Sequence, residues 1–277
     1  MKIADSHNDF LTAYRTKQEI LNYLYRLNNT DIKIINAVFW TTETNKPKKA
    51  IEKYRKILDN NAFQNKILFT LEDIDFVEIS DINFIKNNRV DFCGLVWNKD
   101  NSLGGGAFGI NNLSHKGKAI VERLEKNNII IDTAHMNFET FDSFTKITKK
   151  PLYNSHANIY KVLNHNRNLK DSQIYKIVKT NGFLGVIFVK SFIKNDSSAN
   201  IKDIAFQFKY LIDNFGDENF GIGSDFYGSA DIPANLNTYS KFENLKKELL
   251  SLDISENSIN KIFYENYYNF LKRVGKL

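Results

Sequence analysis

Ile129-Ile130-Ile131-Asp132-Thr133-Ala134-His135 and Pro151-Leu152-Tyr153-Asn154-Ser155-His156 bracket a segment of helical spacing, residues 138–148. Each is an apolar, strand-like run that stops in a polar tip ending in histidine. Similar runs occupy residues 2–4, 32–40, 66–71, 92–97, 183–189 and 220–223, which with 129–132 and 151–154 makes eight. Between them lie segments with apolar residues at helical spacing: 12–27, 48–60, 117–124, 171–180, 201–214 and 241–251. In residues 117–124, Ile120, Val121 and Leu124 share one helix face. The last segment, 255–274, opens with Ser255-Glu256-Asn257-Ser258, an N-terminal helix signature.

Strands alternating with helices call for a parallel sheet with helices packed on it. Eight such units in 277 residues fit a closed α/β barrel, a (β/α)8 TIM-type fold, read as one domain over residues 1–277. No Gly-x-Gly-x-x-Gly follows the first run, which argues against a dinucleotide fold. Gly104-Gly105-Gly106 has no Lys-Ser/Thr behind it and reads as a flexible loop rather than a phosphate cradle.

Composition narrows the class further. Hydrophobic residues make up 42% and charged residues 25%, the balance of a globular chain rather than a disordered one. The net charge of +6 comes from single lysines interspersed with acids, and its densest cluster, Lys46-Pro47-Lys48-Lys49, is short. No nucleic-acid partner is expected from it. The single cysteine, Cys93, excludes an internal disulfide and reads as a buried small hydrophobe. No leader-like segment and no apolar stretch of membrane-spanning length are seen, so a cytoplasmic protein without membrane contact is expected.

In such a barrel, chemistry sits at the C-terminal strand ends. The first run ends in Asp5-Ser6-His7-Asn8-Asp9, the third in Glu72-Asp73, the fifth in His135, the sixth in His156 and the eighth in Ser224-Asp225. Three of the five histidines and several carboxylates thus fall on one rim. Imidazole nitrogen and carboxylate oxygen are the usual ligands of a borderline ion such as zinc. His7 and Asp9, two apart in an extended segment, point to the same side. Six ligands, His7, Asp9, Glu72, His135, His156 and Asp225, exceed one tetrahedral site and suit two ions sharing a carboxylate. Such a pair activates a bridging water and clamps the reacting oxygens. Of the other histidines, His115 reads as a cap or surface residue and His165 as a cleft residue.

These residues also carry a likeness. Asp5-Ser6-His7-Asn8-Asp9-Phe10, Asp132-Thr133-Ala134-His135-Met136, residues 151–157 with Asn166-Arg167-Asn168-Leu169-Lys170-Asp171, Gly221-Ile222-Gly223-Ser224-Asp225-Phe226, the loop from Asn98 to Gly106, and Glu265-Asn266 follow one another along nearly the whole chain. In this the chain resembles the membrane dipeptidase (renal dipeptidase) family of zinc peptidases. The resemblance implies two zinc ions, with His7 and Asp9 on the first, His135 and His156 on the second, and Glu72 between them. Asp225 would sit at the first ion and handle the proton, and a hydroxide shared by both ions would attack. Arg167 would take the substrate's terminal carboxylate, with Trp97, Asn98 and His165 nearby. The substrates implied are dipeptides, some with a D-residue on the C-terminal side, and the assembly implied is a homodimer. The sequence departs from the family pattern at Asp73, where glycine is frequent, at Trp97, where His or Tyr is usual, and at Tyr227, where a second Asp is usual. Two rival functions are another binuclear amidohydrolase, acting on a cyclic amide or lactone, and a non-catalytic binding protein on the same scaffold.

Overall fold

The computed structural model describes residues 1–14, 16–60, 62–196 and 198–277. Eight strands appear: β1 (Ile3–Asn8), β2 (Ile32–Trp40), β3 (Lys66–Glu72), β4 (Phe92–Gly94), β5 (Ile130–Asp132), β6 (Tyr153–Ala157), β7 (Phe183–Val186) and β8 (Phe220–Ile222). They pair in parallel in sequence order, and the Asp5↔Ile222 pairing joins β1 to β8 and closes the barrel. Every expected strand is present. β1, β3 and β6 run further into their polar tips than their apolar runs suggested, because the ladder continues where the side chains turn polar. β4 and β7 stop earlier. Leu95, Val96, Ile187, Phe188 and Val189 stay buried past the end of the ladder, so there the apolar run marks burial rather than pairing.

The barrel interior is layered. At its base Ala4, Ile34, Leu68, Phe92, Ile130, Tyr153 and Phe183 form one apolar cluster, plugged from below by Tyr267, Phe270, Leu271 and Val274 of the C-terminal segment. That segment, expected as one helix, is helical over Glu256–Asn260 and Asn266–Arg273, with a wider π-turn at Lys261–Glu265 between them. Above the plug lies a polar layer. The Tyr153 hydroxyl and Asn36 Nδ2 both donate to Ser6 O at 2.9 Å, and Thr70 Oγ1 donates to Asn36 Oδ1 at 2.7 Å. Ser6 Oγ lies 2.7 Å from the carbonyls of both Ser155 and Ile222. This draws β1 towards β6 and β8, and the approach needs glycine: a Cβ on Gly185 or Gly223 would fall 2.0 Å from Ser155 O.

Outside the strands, helix faces such as Ile20/Leu24/Leu27 and Ile120/Val121/Leu124 complete the main core. Each such side chain contributes roughly 1.5–3 kcal/mol on burial. The expected helix over 12–27 is instead two helices, Phe10–Ala13 and Lys17–Leu27. Thr16 caps the second: it accepts from Glu19 N while Glu19 accepts from Thr16 N, a reciprocal box that fixes a new start. His115 is the exposed first residue of helix His115–Lys126; Ser114 is the cap. The triglycine is not a flexible loop. Gly105 N donates to Thr140 Oγ1, Gly105 O accepts from Asn137 N, and a Cβ on Gly106 would fall 2.2 Å from Trp97 O. Cys93 is fully buried, as expected. Among the described residues, no helix is long and apolar enough to cross a membrane.

Candidate metal centre

The C-terminal strand ends bring His7, Asp9, Glu72, His135, His156 and Asp225 into one cluster, all buried except Asp225, which is partly exposed. Three overlapping groups have ligand atoms within 4.8 Å of one another: His7, Asp9 and Glu72; Glu72, His135 and His156; His7, His156 and Asp225. His7, His156 and Glu72 each belong to two of the three, and of these Glu72 is the carboxylate. Its Oε1 lies 3.0 Å from His135 Nε2 and 3.9 Å from the Nε2 atoms of His7 and His156. His7 Nε2 lies 3.1 Å from Asp9 Oδ2 and 3.8 Å from Asp225 Oδ1.

Local backbone aims these groups. His135 and Asp225 have left-handed φ values of 65° and 59°. Among non-glycine residues this region is uncommon but least unfavourable for Asn, Asp and His, and such strain gathers at functional sites. Asp73, where the family likeness leads to glycine, has φ 59°, which an aspartate tolerates. Its side chain is held by Asn101 Nδ2 at 2.8 Å. Asp225 is tied back through its N–H to His7 O at 3.2 Å. Gly228 lets the chain pass close by, since a Cβ there would fall 2.3 Å from Asp225 Oδ1 and 2.6 Å from Asp9 Oδ2.

Each imidazole is held from behind. His135 Nδ1 lies 3.0 Å from Asn98 Oδ1. His7 Nδ1 and His156 Nδ1 lie 2.9 and 2.7 Å from the same atom, Ser155 Oγ. Beneath them, Asp5 accepts from Ser224 N, Ser224 Oγ, Tyr239 Oη and His7 N, pinning β1 to β8 at the point where both bring potential ligands. Asp132 does the same between β5 and β6, accepting from Ala134 N and Ser155 N at 3.0 Å. Asp5, Asp132 and Ser155 all lie inside the strand-end motifs, beside the potential ligands. Nothing in the sequence pattern separates a ligand from the residue that braces it.

The electrostatics suit a cation. Burial alone would lower the His7 pKa, but the carboxylates of Asp9, Glu72 and Asp225 outweigh it and raise it to about 10. Burial would raise Glu72, but His135, His7 and Arg167 bring it down to about 2. Burial, with Arg167 nearby, lowers His135 to about 4. Burial beside His7 lowers His156 well below the usual imidazole range, and burial beside Asp9 raises Asp225 well above the usual carboxylate range. The Nε2 atoms of His135 and His156 face each other at 3.0 Å, and Asp9 Oδ2 is sealed from solvent without a well-formed hydrogen bond. The lone pairs of the neutral His135 and His156 rings, of His7 once its proton leaves, and of the carboxylates are what a borderline divalent ion takes, so the donor set fits one.

The cluster floors a cleft of about 410 Å³, a usual size for a small-molecule site. Trp97, Asn98 and Arg167 line it, as does Tyr227, one of the departures from the family pattern, and as do Trp40, Glu43 and Phe192, which the sequence did not single out. Trp97 packs against Trp40 with ring centroids 4.6 Å apart and the rings tilted by 40°, and stands 5.9 Å from the His135 ring. Arg167 is buried, its Nη2 donates to His156 O at 3.4 Å, and its Nε has no partner. Burial lowers its pKa only to about 10, so it stays cationic at neutral pH. His165, expected to line the cleft, stands behind it. Its ring packs on Phe192 and Phe108, and its Nδ1 accepts from Arg167 N at 3.2 Å.

A closed parallel barrel with histidines and carboxylates gathered at its C-terminal rim defines a class: barrel proteins equipped to hold metal ions at the strand ends. Within it the chain belongs to the membrane dipeptidase family (Peptidase family M19), whose model matches residues 29–277. It is 28% identical over 145 residues to dipeptidase aclJ of Aspergillus oryzae, a match covering 52% of this chain and about a third (34%) of that longer protein. Its fold is similar to that of an amidohydrolase from Pseudomonas aeruginosa, with TM-score 0.84, 20% identity, and 99% and 96% of the two chains covered. It is also similar to that of a metallo peptidase from Rhodobacter sphaeroides liganded with a phosphinate mimic of the dipeptide L-Ala-D-Ala, with TM-score 0.83, 18% identity and 99% of each chain covered.

Proposed function

We propose that the protein is a zinc-dependent dipeptidase that holds two ions through His7, Asp9, Glu72, His135, His156 and Asp225. The observation that carries this reading is the position of Glu72, shared between two three-residue groups of potential ligands. When bound, a pair of zinc ions lowers the pKa of a bridging water towards neutrality and polarises the scissile carbonyl. The chain's own residues supply the rest. Glu72 keeps its negative charge at neutral pH and offsets repulsion between two cations. Asp225, whose carboxyl binds a proton more readily than an ordinary aspartate, takes the proton released by the attacking water and passes it to the leaving amine. Arg167, cationic at the cleft wall with an unpartnered Nε, receives the free carboxylate of a short substrate. Trp40 and Trp97 close one side of the cleft and restrict what fits.

Family membership supports peptide-bond hydrolysis over cyclic amide or lactone opening. The phosphinate dipeptide mimic held by the Rhodobacter sphaeroides neighbour makes a D-residue on the C-terminal side a natural substrate to test. The test is elemental analysis of protein purified without chelator, together with a panel of L,L and L,D dipeptides, a hydantoin and a lactone. Two zinc ions per chain and turnover confined to dipeptides are expected. Turnover of the cyclic substrates alone, or metal without any turnover, would overturn the reading.

A further inference from the structure

One atom, Ser155 Oγ, touches an imidazole from each half of the cluster: His7 Nδ1 at 2.9 Å and His156 Nδ1 at 2.7 Å. The rings themselves are 3.7 Å apart between centroids, and the serine is fully buried. A hydroxyl has one hydrogen to donate and two lone pairs. If both imidazoles present Nε2 lone pairs to metal, both must carry hydrogen on Nδ1, and both lone pairs of Ser155 Oγ are then used as acceptors. The carboxylate of the buried Asp132 stands beside the serine. That carboxylate is itself fixed by Ala134 N and Ser155 N. With both rings on metal through Nε2, the serine oxygen can only accept from them. It sets the same tautomer in both rings.

We infer that Ser155 is a positioning residue common to both metal sites, fixing the tautomer and aim of His7 and His156 together, so that its loss weakens both sites at once. The inference rests on the two-metal reading above. Asn98 provides the contrast, because its Oδ1 holds His135 alone. Partners of this kind usually change metal affinity about tenfold to a hundredfold when removed.

The test is a zinc titration of metal-free full-length protein against a chromophoric chelator, for the wild type, Ser155→Ala and Asn98→Ala. Ser155→Ala should weaken both zinc sites about tenfold or more, while Asn98→Ala weakens one. A Ser155→Ala protein with both affinities unchanged, or only one weakened, overturns the inference. A wild type that binds no zinc overturns the two-metal reading itself, and this inference with it. If Ser155→Ala does not fold, ¹⁵N-histidine NMR of the zinc-loaded wild type decides. Nδ1-protonated, Nε2-ligating signals are expected for both His7 and His156, and an unprotonated Nδ1 on either ring contradicts the shared role.

Discussion

His135 and His156 point their Nε2 atoms at one another across 3.0 Å, with Glu72 Oε1 a further 3.0 Å from the first nitrogen. Two neutral imidazoles cannot both turn lone pairs inward at that distance without a proton or a cation between them. Both pKa values are lowered, His135 to about 4, so at neutral pH each ring carries a single hydrogen; without metal one ring can place it on Nε2 and donate across the gap, whereas two ligating rings must both carry it on Nδ1. The same nitrogens would separate modestly to take an ion with Zn–N bonds of about 2.0–2.1 Å.

Metal uptake should therefore release protons, but from the other side of the cluster. The His7 pKa is raised to about 10, so without metal this ring is charged at pH 7 and must give up its proton to become a ligand. The release comes from His7, whereas His135 and His156 are already neutral. Zinc affinity should rise with pH across the neutral range, and calorimetry in buffers of different ionisation enthalpy should show at least one proton leaving. Heats independent of the buffer would mean that His7 is neutral before metal arrives. The sign reverses for the metal-free fold: a raised imidazole pKa contributes stability fully below about pH 6.5, the ordinary histidine value, and loses it as pH rises through about 10.

Arg167→Lys should raise KM far more than it lowers zinc content. A point charge replaces a planar fork, losing about 1.5–3 kcal/mol of charged hydrogen bonding. Amidating the substrate's C-terminus should cost the wild type much activity and the variant little. Equal KM values for the two enzymes would remove Arg167 as the carboxylate anchor.

Trp97→Tyr should leave two zinc ions bound and reorder the dipeptides by kcat/KM, because the indole forms part of the cleft wall against Trp40. An unchanged order would reduce Trp97 to packing.

The barrel could be read from the sequence because parallel strands covered on both faces are continuous apolar runs, and all eight survive in the structure. Their ends were less readable. The ladder of β1 continues through Asp5, Ser6, His7 and Asn8, whose polarity answers to the site rather than to the sheet. The potential ligands stood out because His and carboxylates recur at strand tips. Ser155, Asp5 and Trp40 did not, since their roles depend on distances between strands far apart in the chain. His165 carried the right chemistry in the right motif, but its ring turns to Phe192 and Phe108.

Gly228→Ala should damage one side of the cluster selectively. The new methyl would press on Asp225 Oδ1 and Asp9 Oδ2, so the ion sharing those carboxylates should be lost while the other is kept. Zinc stoichiometry near one, with an unchanged circular dichroism spectrum, is expected. A stoichiometry of two would show that the carboxylates can retreat and still bind.

Glu72 tests the shared-carboxylate centre most directly. Glutamine keeps its size but loses the charge and one of the two acceptor oxygens. The barrel core lies below this rim residue and should be unaffected. The measurement is zinc content per chain of Glu72→Gln, with dipeptide turnover alongside. The two-metal account predicts a fall from two ions to one or none and a steep loss of activity in a folded protein. A folded Glu72→Gln that keeps two zinc ions and near-normal turnover would contradict it.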